Sequence, residues 1–156
     1  MRFILVDEIL AMEPGKHVHG IKTMPPHEDV FRDHFPGFPV VPGVLLVEMM
    51  AQTAGKCLDA ESPERGKAML VQIRKASFRQ WVSPGHRADI YAEIKASAPA
   101  FATATCRVAV EERDVAEAEL FFSFVARTAL AADYRDEVLE RYLLRRNTGG
   151  SSNATP

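Results

Sequence analysis

Three segments in the second half of the chain alternate between apolar and polar residues, which is the pattern of half-buried β-strands. They cover residues 86–97, 102–110 and 116–124. The apolar faces carry many small side chains, namely Ala88, Ile90, Ala92, Ile94 and Ala96 in the first segment and Ala102, Ala104, Cys106, Val108 and Val110 in the second. A charged turn at residues 111–114 separates the last two segments, so the pattern predicts two consecutive hairpins. Further strands are predicted at residues 2–11, 16–24 and 67–78.

A helical pattern occupies Val44 to Leu58, where apolar residues lie nearly all round the helix. This pattern predicts a core helix, and one long helix against an antiparallel sheet is an α+β arrangement. Glu48 lies within it, and a glutamate is seldom buried without a reason. Gln52 follows one turn later and Gly55 nearly one turn after that, so the three residues form a narrow stripe. We therefore expect this stripe to line a cavity.

The loop before this helix combines a histidine with residues that restrain the backbone. It reads His34-Phe35-Pro36-Gly37-Phe38-Pro39-Val40-Val41-Pro42-Gly43. Its prolines fix φ and its glycines permit unusual backbone angles, so we expect the loop to hold the imidazole in place for proton transfer. Pro42 suits the first helical position, and no side chain shields the Gly43 amide, so the helix N-terminus offers N–H donors to an anion. A base, an acid and an anion site thus lie within fifteen residues.

The chain resembles the β-hydroxyacyl-acyl-carrier-protein dehydratases of the FabZ type in three consecutive segments. These are His34-Phe35-Pro36-Gly37, Pro39-x-x-Pro42-Gly43-Val44-Leu45 and Glu48-Met49-Met50-Ala51-Gln52. Later likenesses are Phe78-Arg79, Val82-x-Pro84-Gly85 and Val115-Ala116-Glu117-Ala118-Glu119-Leu120. The resemblance covers about residues 2–126. It implies the hot-dog fold, in which a curved antiparallel sheet wraps a long central helix.

The resemblance also implies an activity, a partner and an assembly. The expected reaction is dehydration of (3R)-hydroxyacyl thioesters, carried on acyl carrier protein, to trans-2-enoyl thioesters in fatty-acid or related lipid or polyketide synthesis. A glutamate rather than an aspartate at the acid position implies dehydration without double-bond isomerisation. The expected assembly is a homodimer, or a dimer-based higher oligomer such as a hexamer, in which His34 of one chain faces Glu48 of the other.

The chemistry gives each candidate residue a role. Dehydration requires removal of a C2 proton, stabilisation of enolate-like charge on the thioester oxygen, and protonation of the departing hydroxide. We expect His34 to be the base, the Gly43 amide to contact the thioester oxygen, and Glu48 to protonate or orient the leaving hydroxyl. Apolar neighbours favour the neutral carboxyl of Glu48 and the helix N-terminus favours the anion, so both forms stay open. No cofactor is expected, and the predicted substrate-binding set is completed by Val44, Phe35 and Gln52.

The chain departs from the family pattern at several positions. It begins at Arg2-Phe3-Ile4, without the leading helix and the His-Arg-Tyr-Pro-type segment common in the family, so one pocket wall is expected to be absent or built differently. Pro84-Gly85-His86 replaces the usual Pro-Gly-Asp, and Ser97-Ala98-Pro99-Ala100 replaces a basic turn. These changes leave the catalytic pair intact. They leave acyl-chain length, carrier and oligomer size open.

Two other functions also stay open. A hot-dog thioesterase would use a helix carboxylate to activate water, and it does not need the motif at His34. A non-catalytic hot-dog subunit that binds acyl groups or supports a partner is compatible with the departures, but it has little need for both His34 and Glu48. Release of free thiol would indicate the thioesterase, and absence of turnover would indicate the non-catalytic subunit.

Composition restricts the remaining possibilities. The 156 residues are 47% hydrophobic and carry a formal net charge of -2, which predicts one globular domain with its own core. No basic block is present, which argues against nucleic acid as a partner. Asp7 interrupts the apolar start, so neither a signal peptide nor a membrane span is expected, and the cytoplasm is the predicted location. Cys57 and Cys106 lack metal or redox spacing, and His17 and His19 lack a third ligand, so no metal site is predicted.

The hot-dog domain is predicted to end at residue 127 and to be followed by a helix at residues 128–146. There, apolar and aromatic residues recur at four-residue spacing, namely Leu130, Tyr134, Val138 and Tyr142. Cations at the far end complement the helix dipole, namely Arg141, Arg145 and Arg146. One interpretation is a surface helix that docks on its own domain, and the other is a basic docking site for an acidic carrier protein. Residues 147–156 are predicted to be a disordered tail.

Overall fold

Six β-strands form one antiparallel sheet round a long helix in the computed structural model, which describes residues 1–149. The strands are β1 (Glu8–Glu13), β2 (His17–Thr23), β3 (Lys67–Phe78), β4 (Arg87–Ser97), β5 (Phe101–Val110) and β6 (Arg113–Val125). Their order is β1-β2-β4-β5-β6-β3, so β1 and β3 are the edge strands. The β4-β5 and β5-β6 pairs are the two hairpins that the alternating pattern predicts. The predicted α+β arrangement, a curved antiparallel sheet with a central helix, is confirmed.

The sheet approaches the helix closely because its inner face carries many small side chains. The buried residues on this face include Ala88, Ile90 and Ala92 of β4, Ala102, Ala104 and Cys106 of β5, and Ala116, Ala118, Leu120 and Phe122 of β6. The central helix, α2 (Gly43–Glu61), packs against this face and buries Met49, Met50, Ala54 and Leu58. No helix within residues 1–149 is both long and apolar enough to span a membrane.

The N-terminal segment does not form the strand predicted for residues 2–11. Strand β1 begins only at Glu8, and residues 3–5 before it are held by α2 and not by a neighbouring strand. The Gln52 side chain accepts a hydrogen bond from the Leu5 amide at 2.8 Å and donates one to the Phe3 carbonyl at 3.2 Å. Residues 3–5 are thereby fixed against the central helix. The bounds predicted for β3 are confirmed.

The C-terminal helix, α3 (Glu137–Gly149), begins later than the predicted start at residue 128. A short 3₁₀ turn occupies Arg127–Ala129, and the helix begins only after Asp136. The Asp136 carboxylate accepts a hydrogen bond from the Leu139 amide at 3.1 Å, which caps the first turn and sets the start. The four-residue periodicity does not reveal this cap. Residues 147–149, predicted to belong to the tail, continue the helix, and residues 150–156 lie outside the described residues.

Helix α3 docks on edge strand β1 of its own chain. Arg145 forms an ion pair with Glu8 at 2.6 Å. The Tyr142 hydroxyl donates to the Met12 carbonyl at 3.3 Å, and the Arg141 guanidinium donates to the Asp7 carbonyl at 3.2 Å. Two of the three arginines near the end of the helix are thus used in this contact.

Candidate active site

The His34 imidazole is fixed by hydrogen bonds within its own loop. Helix α1 (Val30–Asp33) ends at this residue, and the His34 amide donates to the Val30 carbonyl at 3.0 Å. The Val40 amide donates to the His34 carbonyl at 3.0 Å, and His34 Nδ1 lies 2.9 Å from the Val40 carbonyl oxygen. Because a carbonyl only accepts, Nδ1 carries the hydrogen. The neutral ring therefore has its free lone pair on Nε2, which has no hydrogen-bond partner among residues 1–149.

The turn after His34 gives the loop its shape. A cis peptide bond joins His34 to Phe35, and the two rings stack with their centroids 4.0 Å apart. The Phe35 and Phe38 backbones exchange hydrogen bonds at 3.0 and 2.9 Å. Gly37, inside this turn, has φ +77°, a conformation that side-chain-bearing residues rarely adopt. The prolines and glycines noted in the sequence thus build a hydrogen-bonded turn that carries the histidine.

The N-terminus of α2 presents backbone donors beside this loop. The first intrahelical bond runs from the Leu45 amide to the Pro42 carbonyl at 2.9 Å, and no side chain caps this end. The Gly43 and Val44 amides have no intrahelical acceptor, as expected for the first turn. At Gly43 an added Cβ would lie 3.0 Å from the Phe78 ring. A glycine therefore allows the ring and the helix N-terminus to approach closely.

These residues line one cavity of about 460 Å³, the His34 cavity. Its walls come from the loop, from the start of α2 and from residues 78–82, and they are mostly apolar. Several apolar side chains there are exposed, above all Val44 at 73% and Trp81 at 75%. The structure therefore places the predicted residues His34, Phe35, Gly43 and Val44 together.

The other two predicted residues form a separate hydrogen-bonded unit. Gln52 Nε2 donates to Glu48 Oε1 at 3.0 Å and also to the Phe3 carbonyl. Its Oε1 accepts from the Leu5 amide, so the Gln52 amide group is oriented by the N-terminal segment. Glu48 is thus held by a side chain whose own position is fixed at both polar atoms.

Glu48 and Gln52 line a second cavity of about 650 Å³, the Glu48 cavity. It runs along α2 between the N-terminal segment, the first half of β3 and residues 134–138. His34 does not line it, and Glu48 does not line the His34 cavity. Within one chain, the histidine and the glutamate therefore open into different cavities.

The sequence did not single out a group of buried charges at the far end of the Glu48 cavity. Lys56 Nζ donates to Asp136 Oδ2 at 2.7 Å, and Asp59, which is 2% exposed, pairs with Lys67 and accepts the Ala68 amide at 2.8 Å. Burial raises the pKa of Asp136, but the Lys56 ammonium and the Leu139 amide outweigh it and hold that pKa below its ordinary value. Lys56 and Asp59 interrupt the core helix just as Glu48 does, and that signal could have found them.

The remaining candidates lie elsewhere. His19 contacts Asp89 at 2.8 Å and stacks on Tyr91, and no cluster of potential metal ligands with three or more members occurs within residues 1–149. Burial raises the pKa of the Cys57 thiol to about 11 and that of Cys106 to about 12. Both thiols are therefore protonated at neutral pH and poor nucleophiles.

Comparison with known sequences agrees with the family resemblance of the sequence motifs. The chain matches the FabA-like domain family over residues 1–119. A relative from Desulforamulus reducens, named 3-hydroxyacyl-acyl-carrier-protein dehydratase FabZ, is 42% identical over 122 residues, which are 78% of this chain and 86% of the relative. A relative of the same name from Listeria welshimeri is 38% identical over 122 residues, 78% of this chain and 85% of the relative.

Solved structures show the same fold at lower sequence identity. The dehydratase heterocomplex ApeI:P from Xenorhabdus doucetiae superposes with a TM-score of 0.67 and 19% identity, over 82% of this chain and 87% of that chain. A hypothetical thioesterase with coenzyme A from Streptococcus pneumoniae superposes with a TM-score of 0.61 and 13% identity, over 76% and 85%. At these identities the likeness shows the fold alone, which is the expected hot-dog fold.

Proposed function

Because the chain belongs to the family of FabA-like domains, we propose that it dehydrates (3R)-hydroxyacyl thioesters to trans-2-enoyl thioesters in fatty-acid or related synthesis. The observation that carries the proposal is the His34 cavity. It combines an imidazole whose Nε2 is free with the uncapped N-terminus of α2 at Gly43. A base and an anion-binding group thus share one mostly apolar space, as enolate chemistry requires.

In this proposal His34 removes the C2 proton. The bond from Nδ1 to the Val40 carbonyl fixes the tautomer and the direction of Nε2, and we propose that this basic lone pair faces the cavity that His34 lines. When Nε2 takes the proton, the carbonyl also stabilises the imidazolium through the same hydrogen bond. The loop therefore contributes orientation and charge stabilisation without a second side chain.

The helix N-terminus stabilises the charge that develops during proton removal. The Gly43 and Val44 amides point out of the first turn of α2, where the helix dipole favours negative charge. We place the thioester oxygen there. Glu48 then gives its proton to the departing hydroxide or orients that group, and Gln52 holds the carboxyl in position. Phe35 and Val44 contribute apolar surface to the acyl group.

The site requires two chains in this proposal. Each chain opens His34 and Glu48 into different cavities, so we place His34 of one chain opposite Glu48 of the other in a two-fold dimer. Exposed apolar residues support this arrangement, because Met69, Val71 and Ile73 lie on edge strand β3, and Phe38 and Trp81 flank the His34 cavity. Association of such dimers into a hexamer remains part of the proposal.

The proposed substrate is carried by acyl carrier protein, the carrier that the relatives' names state. We also propose that the protein is located in the cytoplasm. Two buried, reduced cysteines agree with a reducing compartment. No metal or organic cofactor enters the proposed steps.

A single assay separates the proposed reaction from its alternatives. The purified protein is given 3-hydroxyacyl and 2-enoyl thioesters on carrier protein and on coenzyme A, and enoyl absorbance is followed together with free thiol. We expect interconversion of the two acyl forms without thiol release. Thiol release would show a thioesterase instead, and lack of any turnover would favour a non-catalytic subunit.

Mixing inactive chains tests the shared site. Chains carrying His34→Ala and Glu48→Ala are co-expressed with different tags, and the heterodimer is purified through both tags. A heterodimer has one site with both residues native and one site with neither, so about half of the wild-type activity per dimer should return. An inactive heterodimer would contradict the shared site. It would not affect the dehydratase assignment, which the thioester assay tests separately.

A further inference from the structure

The Glu48 cavity continues well beyond the carboxylate. From Glu48 it follows α2 past Gln52 and Gly55 and reaches Lys56. Glu48 and Gly55 are separated by about 10 Å along the helix axis. At Gly55 no side chain fills the cavity, and the nearest atom that an added Cβ would meet is Lys67 Nζ, 3.9 Å away. The stripe that the sequence revealed therefore leaves room for an extended chain.

Residues 134–138, which precede and begin α3, line the cavity at its Lys56 end. The Val138 side chain is buried there, and Tyr134 presents a partly exposed ring. The Lys56–Asp136 ion pair ties this segment to the central helix, and its side chains are only 8% and 14% exposed. The ion pair thus anchors this lining segment to the central helix at the Lys56 end of the cavity.

The sides and the end of the cavity differ in chemistry. The sides include the apolar residues Phe3, Ile4, Met69, Leu70 and Phe122, together with the charged residues Arg2 and Lys67. Methylene groups buried against such surfaces are removed from water favourably. A methyl group pressed against a buried ion pair instead displaces the remaining water from its charges, which is unfavourable. An apolar chain therefore gains affinity along the sides and loses it at the end.

We propose that residues 134–138, anchored by the Lys56–Asp136 ion pair at the end of the Glu48 cavity, form a wall that limits the length of the acyl chain. This inference rests on the proposed function, because it takes Glu48 to mark the reacting end of the substrate. The segment lies outside the family match at residues 1–119. The limit is thus a property of the C-terminal part of this chain.

The proposal predicts the shape of a chain-length profile. While the chain is still short of the wall, each added methylene should raise kcat/KM about fourfold, the value expected for burial of one methylene. Once the chain reaches the wall, kcat/KM should stop rising or fall. The acyl-chain length at which this happens is called the break. The same break should occur in the binding of unreactive acyl-pantetheine amides, which requires no catalysis.

Two substitutions should move the break in opposite directions. Gly55→Leu places a side chain in the cavity just before its Lys56 end, and a position in a helix interior favours leucine over glycine, so the helix is preserved. We expect the break to move at least two methylenes shorter, which lowers kcat/KM for the longest good wild-type substrate by about 16-fold. Tyr134→Ala removes part of the wall and should raise kcat/KM for the first rejected chain about fourfold.

The matched control is Arg145→Ala. It removes the ion pair between α3 and Glu8 but does not touch the cavity, so its profile should equal that of the wild type. Turnover is measured with 3-hydroxyacyl thioesters of increasing length, and binding of the saturated amides is measured by calorimetry. Circular dichroism and melting temperature establish that each variant is folded.

The outcomes separate the wall from the proposed function. If no length is turned over but the binding break still moves with Gly55→Leu and Tyr134→Ala, the dehydratase assignment fails and the wall stands. If turnover is normal and the break stays in place in both folded variants, the wall is overturned. A break that also moves in Arg145→Ala would equally overturn it, because the effect would then come from α3 as a whole.

Discussion

The His34 cavity and the Glu48 cavity are built by different means. In the His34 cavity, backbone groups act directly. The Val40 carbonyl fixes the imidazole, and the free amides at the N-terminus of α2 can bind an anion, within mostly apolar walls. In the second, side chains act on one another, from Gln52 on Glu48 to Lys56 on Asp136. The backbone site is therefore fixed by proline and glycine, while the side-chain site also depends on partners far away in sequence, namely residues 3–5 for Gln52 and Asp136 for Lys56.

The largest loss of activity should come from a substitution in the His34 cavity. His34→Ala should lower dehydration and hydration at least about 1000-fold, because it removes the general base. The melting temperature should hardly change, since the turn after residue 34 is held by backbone bonds. Turnover is measured by enoyl absorbance, with His17→Ala, at an exposed histidine of β2, as the matched control. Activity above a tenth of wild type would remove His34 from the base role.

Glu48→Gln should have the next largest effect, about a 100-fold loss of kcat with little change in KM. Glutamine keeps the size of the side chain and its hydrogen bond to Gln52 but has no carboxyl proton to give. Steady-state kinetics on one 3-hydroxyacyl thioester measures both constants. A rise in KM at constant kcat would assign Glu48 to binding.

An effect of similar size is expected at the helix N-terminus. Val44→Pro removes one free amide and disfavours the helical conformation of the preceding residue, so the Gly43 donor should shift. We expect about a 100-fold loss of kcat, because one oxyanion donor is moved and another is removed while the base and acid remain. Val44→Ala, which keeps the amide, is the control. Equal activity of the two variants would place the thioester oxygen elsewhere.

The smallest expected effect is a pH-dependent change in stability at the Lys56–Asp136 ion pair of the Glu48 cavity. The pKa of Asp136 is lowered in the folded protein, so its ion pair stabilises the fold above the unfolded pKa of about 3.9 and this contribution is lost as the pH falls through the folded pKa. Asp136→Asn should cost about 1 kcal/mol at pH 7, since asparagine keeps the oxygen that caps Leu139. The difference in unfolding free energy between the two proteins should shrink from pH 5 towards pH 2. A constant difference would mean that the carboxylate charge is not the cause.

The sequence predicted one side of this comparison better than the other. Proline, glycine and periodicity act locally, so the loop at His34, the core helix and the hairpins were all visible in short stretches. The strand predicted at residues 2–11 was wrong before Glu8 because Gln52, far along the chain, holds that backbone. The helix predicted from residue 128 was wrong up to Asp136 because periodicity does not show which residue caps.

The Lys56–Asp136 pair shows what a single sequence does not reveal. Its members are separated by 80 residues, and only the packing of α3 brings them together. A lysine in an apolar helix signals a buried partner, but it does not name that partner. The separation of His34 and Glu48 into two cavities likewise depends on how the sheet curls round α2.

The docking of α3 on β1 has a consequence for how copies of this chain add to one another. An open sheet edge is a template for further strands, and a sheet with two open edges could grow without limit. Here Tyr142 donates a hydrogen bond to the Met12 carbonyl of β1, and Arg141 donates one to the carbonyl of Asp7, just before β1. Arg145 pairs with the side chain of Glu8, the first residue of β1. Only the β3 edge is left bare among the described residues. If copies pair through the β3 edge, as in the dimer proposed above, growth would end after two copies, because α3 contacts the other edge strand.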